Sequence, residues 1–266
     1  MTGNSQVRRL LVVNPNTSKA MTHVITASVN NTLQAYGGIV EATTVHVDHG
    51  VESVEGSFDE VVSAYWTLEK VVPLLPSYDG VLVACFSNHV AVKALREYTS
   101  KPVMHIMEAA ILQSLPLGAH FSIITDSGHW CPLLEEGVQS VLGSLERCAS
   151  VRSAEMTALD TVTLSQDQVV EKLASAGRQA IDQDGAEVLI LGCAGLAHTR
   201  ERMVTLLGVP IIDAVAAGVN TMIGPMITQL TTSPVGMYTP LPPRPEEVNV
   251  PNPGIMTAYQ ADPKNQ

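Results

Sequence analysis

Short apolar runs alternate with longer amphipathic stretches along most of this chain. Arg8–Val13 is a short strand candidate that runs into Asn14-Pro15-Asn16-Thr17-Ser18, a turn rich in helix-capping residues. Lys19 to Ala35 has a helical pattern closed by Gly37-Gly38, and Ile39–Val47 is a second strand rich in β-branched residues. Phe58–Leu74 is helical and ends at Pro73 and Pro76. Val81–Cys85 is a third strand, Val90–Tyr98 a helix and Pro102–Met107 a fourth strand. The pattern then starts again. His120–Thr125 is a strand, Pro132–Leu145 a helix, Val151–Met156 a weaker strand, Ser165–Asp182 a helix, and Glu187–Leu191 and Pro210–Asp213 are strands. From Thr231 prolines dominate, which predicts an extended tail.

The restart is an internal duplication. Asp79–His89 reads DGVLVACFSNH and Asp184–His198 reads DGAEVLILGCAGLAH. Each is an Asp-Gly turn, an apolar run, and a cysteine among small residues, with a histidine shortly after. Cys193 follows Cys85 by 108 residues (193 − 85), and the 101–110 and 208–217 segments match at about the same offset. Two copies make a duplicated unit rather than a solenoid. Regular strand–helix alternation predicts an α/β fold with parallel sheets and right-handed crossovers. We expect two pseudo-symmetric lobes, each a parallel sheet flanked by helices, with the active site in the cleft between them. The expected division is 7–110, 111–225 and a tail over 231–266, with a C-terminal segment able to pack back onto the first lobe. A single eight-stranded barrel is the competing arrangement, and a repeat this clear at half length favours two lobes.

Composition narrows the picture. Hydrophobic residues make up 45% of the 266 residues and aromatic ones only 4%, so the core is aliphatic, as parallel strands covered on both faces require. The formal net charge of −11 argues against nucleic acid and against anionic membrane surfaces as partners. No apolar run approaches a membrane span, and Leu10–Val13 is too short for a signal-peptide core. The four cysteines, at 85, 131, 148 and 193, include no CxxC pair, which points to free thiols and a cytoplasmic location.

The ends of parallel strands are where open α/β sheets build their sites. A lone cysteine there is usually a small buried apolar residue. Two at matched positions suggest one site with two sulfurs. A thiol is readily tuned toward neutral pH and can act as acid or base. Two thiols on opposite sides of a carbon can exchange its proton from either face without metal or cofactor. Cys131 and Cys148 lack this setting. His89 and His198 either polarise their cysteines or are ordinary first-turn residues, and a Cys–His nucleophile is a rival reading. No dense ligand cluster suggests a metal. Asn14, Asn16 and Thr17, with Thr125 at the equivalent position of the second half, face the same sheet edge and are candidates for binding a polar substrate. Ser87 and Asn88, and Ala194 and Gly195, follow the two cysteines, and their backbone N–H groups are candidates for holding an enolate oxygen. Glu52–Glu55 reads as a solvated charge run.

Taken together, LLVVNPNTS (10–18), ESVEG (52–56), VACF (83–86) and LGCAG (191–195) resemble the aspartate/glutamate/hydantoin racemase superfamily, and most closely its hydantoin racemase branch. CFSNH with KPVMHIMEA, and ITDSGHWCPLL, are more similar to fungal allantoin-linked members of that branch. The resemblance covers about residues 8–225. It implies a cofactor-independent racemase of 5-substituted hydantoins or allantoin, a homo-oligomer, with Cys85 and Cys193 as the two bases. Superfamily relatives include a cis–trans isomerase that uses one cysteine as a nucleophile. They also include a decarboxylase that keeps only the second-half cysteine, and Cys85 speaks against that reading. A ligand-binding or thiol-sensing protein is the non-catalytic alternative. Ser87-Asn88-His89 stands where bacterial hydantoin racemases carry acidic residues and Asp-Pro-Gly, so the departure bears on substrate more than on mechanism.

Overall fold

The computed structural model describes residues 7–240. The first half contains β1 (Arg8–Asn14), α1 (Lys19–Leu33), β2 (Val40–His46), α2 (Ser57–Val71), β3 (Gly80–Val83), α3 (Val90–Tyr98), β4 (Val103–His105) and α4 (Ile106–Ser114). The second contains β5 (Phe121–Thr125), α5 (Trp130–Leu142), β6 (Cys148–Ser153), α6 (Asp160–Thr163), α7 (Gln166–Asp184), β7 (Val188–Leu191), α8 (Arg200–Leu207), β8 (Ile211–Asp213) and α9 (Ala214–Thr228). The strands form two separate parallel sheets, ordered β2-β1-β3-β4 and β6-β5-β7-β8. The expected α/β architecture of two matched sheets is therefore the observed one, and the barrel is not. Of the expected tail, residues 241–266 lie outside the described residues.

Strand alternation assigns the faces. In β1, Leu10 and Val12 point to one side with Leu82 of β3, while Leu11 and Val13 point to the other with Val81 and Val83. The second set packs on α2 and α3 through Val71, Val92 and Leu95. The first set joins a larger core shared with the second sheet, where Phe121, Ile123, Val188 and Ile190 face it. The outer face of the second sheet, Ile124, Leu189 and Leu191, is covered by α7 and α8. The two sheets are thus tied through one apolar core. Burying each of its leucines or isoleucines contributes on the order of 1.5–3 kcal/mol.

The sequence pattern did not reveal the short helices α6 and α8 or the buried pair α4 and α9. Helices α4 and α9 are apolar nearly all round, so they carry no polar stripe to mark a helical period. They pack on each other inside the shared core: α4 reaches β7 and β8, and α9 reaches β1, β3 and β4. Matched caps start them at the ends of the equivalent strands. His105 Nδ1 accepts from Glu108 N–H at 3.1 Å, and Asp213 Oδ1 accepts from Val215 N–H at 2.8 Å.

The duplication is also visible in backbone hydrogen bonds just past the strands. Ala84 N–H donates to Val13 O at 2.8 Å, and Gly192 N–H donates to Ile124 O at 2.8 Å. A side chain on Gly192 would meet Ile124 O at 3.1 Å and Thr125 Cα at 3.2 Å, so β7 leaves the sheet too close to β5 for any larger residue. These bonds deliver Cys85 and Cys193 to the carboxyl edges of their sheets.

Candidate active site

Cys85 and Cys193 line one small cavity of about 40 Å³, together with Asn16, Met21, Val54, Phe86, Asp126, Trp130, Ala158 and Ala194 among others. Both thiols are half-buried and free. Burial, the nearby Glu60 and Asp126 carboxylates push the Cys85 thiol up to about 12, partly opposed by the Ser87 hydroxyl. Burial and Asp126 raise Cys193 well above the ordinary thiol range, while the Gly195 N–H works in the opposite direction. Burial and the neighbouring acids therefore favour the protonated form of both sulfurs.

The carboxylates are pushed the same way. Asp126 follows β5, is 3% exposed, and is raised by burial to about 6. It accepts from Ser127 N–H at 2.6 Å, from Thr125 Oγ1 at 3.5 Å, and from the Cys193 thiol. Glu60, on α2, is raised by burial and by Glu136 of α5, against the hydrogen bond from Ser87. Each thiol thus stands by a carboxylate of elevated proton affinity. The sequence patterns single out neither acid for this role. Asp126 reads as a turn residue matching the Asn14–Ser18 turn, and Glu60 as one charge on an amphipathic helix.

Of the expected site residues, Cys85, Cys193, Asn16 and Ala194 meet at the cavity. The others brace it. Asn14 donates to Asn16 Oδ1 at 2.8 Å, to Ser18 O and to Thr22 Oγ1. Asn16 Oδ1 also accepts from Ser18 N–H at 3.0 Å, and Ser18 caps α1 by accepting from Met21 N–H. Among the described residues this leaves the Asn16 amide donor with only the Met21 thioether, at 3.2 Å, a weak acceptor. Thr17 is committed to Val51 O, Asn88 to Ser140 Oγ, and Thr125 to Gly192 O and Asp126. Ser87 touches both Cys85 and Glu60. Gly195 supplies its N–H to Cys193. Glu55 of the acidic run is half-buried, accepts from Ser53 at 2.5 Å, and adds its charge to the raising of Asp126.

The histidines divide. His89 is buried, and burial lowers it to about 4, so its ring is neutral. Ser63 Oγ donates to Pro15 O, so His89 Nε2–H donates to Ser63 Oγ at 3.1 Å and Nδ1 is left to accept from Ala91 N–H. His89 is thus the cap of α3. His198 is exposed and lies off the cavity. Cys148 and Cys131 are likewise away from it. Among the described residues no three His, Cys, Asp or Glu side chains gather as a metal-binding group, and no helix is long and apolar enough to cross a membrane.

The chain is similar to known proteins in sequence and in fold. Residues 10–222 match the Asp/Glu/hydantoin racemase family profile. A hydantoin racemase of Paenarthrobacter aurescens is 33% identical over 213 residues, 79% of this chain and 87% of that protein. The structure of an allantoin racemase from Klebsiella pneumoniae superposes with a TM-score of 0.82 at 30% identity, covering 89% of this chain and 95% of the other. That of an allantoin racemase from Pseudomonas fluorescens gives 0.82 at 31% identity, covering 90% and 99%. The chain belongs to the Asp/Glu/hydantoin racemase family, a family of isomerases.

Proposed function

We propose that this protein racemises allantoin or a related 5-substituted hydantoin by two-base proton transfer between Cys85 and Cys193. The observation that carries the reading is that two thiols at equivalent strand ends of a duplicated fold line one cavity. One sulfur, as thiolate, removes the proton from ring C5. The other, as thiol, returns a proton to the opposite face. For the other enantiomer the roles exchange. As C5 loses its proton, charge moves to the adjacent ring carbonyl, where a preorganised donor is worth most. The Asn16 amide, which donates to a thioether, gains a stronger acceptor when that carbonyl arrives. The Ala194 backbone, directly after Cys193, is a second candidate donor. Asp126, hydrogen-bonded by Cys193, provides a place for that thiol's proton. The chemistry requires no metal or organic cofactor. Asn16 and Asp126 offer hydrogen-bonding groups to a polar ring such as allantoin beside the apolar Phe86 and Trp130, and the family resemblance favours a homo-oligomer.

The test is incubation of a single enantiomer of allantoin in D₂O. Optical rotation is lost as one solvent deuterium enters at C5. If neither allantoin nor 5-substituted hydantoins exchange, the substrate assignment fails. Cys85→Ser and Cys193→Ser should each lower racemisation by roughly two to four orders of magnitude. A Cys85→Ser protein with full turnover would replace the two-base reading with a one-cysteine chemistry.

A further inference from the structure

The two thiols reach their carboxylates by different routes. Ser87, two residues after Cys85, is 2% exposed, with Oγ 3.5 Å from Cys85 Sγ and 2.9 Å from Glu60 Oε1. The three groups form a chain from the cavity to α2. Gly195 holds the matching place after Cys193. A Cβ there would lie 2.2 Å from Thr161 Oγ1, so α6 fills the space that a Ser87-like side chain would need. The Thr161 hydroxyl is itself committed to Ala158 O at 2.6 Å. Cys193 instead meets Asp126 directly. The duplicated halves keep the sulfur and differ in what links it to an acid.

We propose that Ser87 and Glu60 form a proton relay that converts Cys85 to its thiolate with no net change of charge in the site. The proposal rests on reading Cys85 as a base. In the relay the Cys85 S–H bond breaks and its electron pair stays on sulfur. That proton goes to Ser87 Oγ, whose own proton passes to Glu60 Oε1. Glu60 ends as a neutral acid, Ser87 is unchanged, and one thiolate has formed. The physical reason lies in the surroundings. The charged groups acting on the pair, Glu136 of α5 on Glu60 and Asp126 on Cys85, are both acidic. Releasing the Cys85 proton to solvent would leave a thiolate beside ionised Glu60. Moving it onto Glu60 removes the opposing charge as the thiolate appears. Ser87 and Glu60 are positioning residues that act through Cys85.

The test is the pH dependence of Cys85 alkylation by iodoacetamide, followed on the Cys85 peptide by mass spectrometry. It compares wild type, Glu60→Gln and Ser87→Ala. With the relay, the proton never leaves the site, so the thiolate fraction of wild type is flat from about pH 6.5 to about pH 8. In Glu60→Gln the proton must go to solvent, and the rate climbs roughly tenfold per pH unit; in Ser87→Ala, where Glu60 still takes the proton, the profile stays flat but the rate falls at every pH, because the thiolate has lost the hydroxyl that bonds it. The pH profile of kcat/KM for allantoin changes slope in the same way in Glu60→Gln, and thermal unfolding checks that all three proteins remain folded. A wild-type rate that climbs tenfold per unit throughout, a Glu60→Gln protein that keeps the flat profile, or a Ser87→Ala protein that reacts at the wild-type rate overturns the relay. Alkylation involves no substrate, so it decides the relay separately from the racemase reading, which falls if Cys85→Ser racemises at the wild-type rate.

Discussion

Replacing Asp126 by asparagine should make the protein more stable and less active at neutral pH. The carboxyl is 3% exposed, and burial raises it from an ordinary 3.8 to about 6. Asparagine keeps an oxygen to accept from Ser127 N–H and Thr125 Oγ1 but carries no charge to bury. The sign follows from proton linkage. Between pH 3.8 and about 6 the folded protein holds this proton and the unfolded chain does not. Wild-type stability due to this group is therefore complete below pH 3.8 and is lost as pH rises to about 6. At about 1.4 kcal/mol per pH unit the loss is about 3 kcal/mol, or on the order of 5–10 °C in melting temperature. The assay is thermal unfolding of Asp126→Asn and wild type from pH 4 to 8, with allantoin racemisation measured in parallel. The gap should be near zero at about pH 4 and full above about pH 7, with activity reduced by at least tenfold. A variant that melts at or below wild type at pH 7.5, or a gap that does not close on acidification, refutes the reasoning. Stability gained where activity is lost is the mark of a group kept for function.

Three further expectations follow from the same contacts. His89→Ala removes the cap of α3 and should cost about 1 kcal/mol in denaturant unfolding, with the shape of the activity–pH profile unchanged because His89 is neutral at the working pH. Gly195→Ala should destabilise by about 1–3 kcal/mol, since its Cβ would press on Thr161; combining it with Thr161→Ala should recover part of the loss, read by the same unfolding curves. Asn16→Asp keeps the oxygen that accepts from Asn14 and Ser18 but removes the donor facing the cavity, so steady-state kinetics should show kcat/KM reduced by about tenfold or more.

Much of the site was legible before folding was considered. Matched apolar runs ending in Cys85 and Cys193 identified a duplication, and parallel strands deliver equivalent residues to equivalent edges. Ser87-Asn88-His89 stood out as a stretch where the copies diverge. Asn14, Thr17 and Thr125 were legible as polar residues at the right sheet edge, yet their side chains are spent on bracing turns and strands. Direction of a side chain depends on neighbours distant in sequence, and no local pattern encodes it.

Periodicity, composition and repetition are properties of the chain, and they specify the α/β class, the two-copy architecture, the aliphatic core and the two sulfurs. Tertiary structure alone decided which acids attend those sulfurs. Glu60 and Cys85 are brought together by packing α2 and α3 on one face of the first sheet, and Asp126 meets Cys193 because β5 and β7 are neighbours in the second. It also decided the place of α4 and α9, whose uniform apolarity shows that they are buried but not against what. Proton affinity in this site is set by burial and by charges from separate elements, and those quantities exist only once the chain has folded.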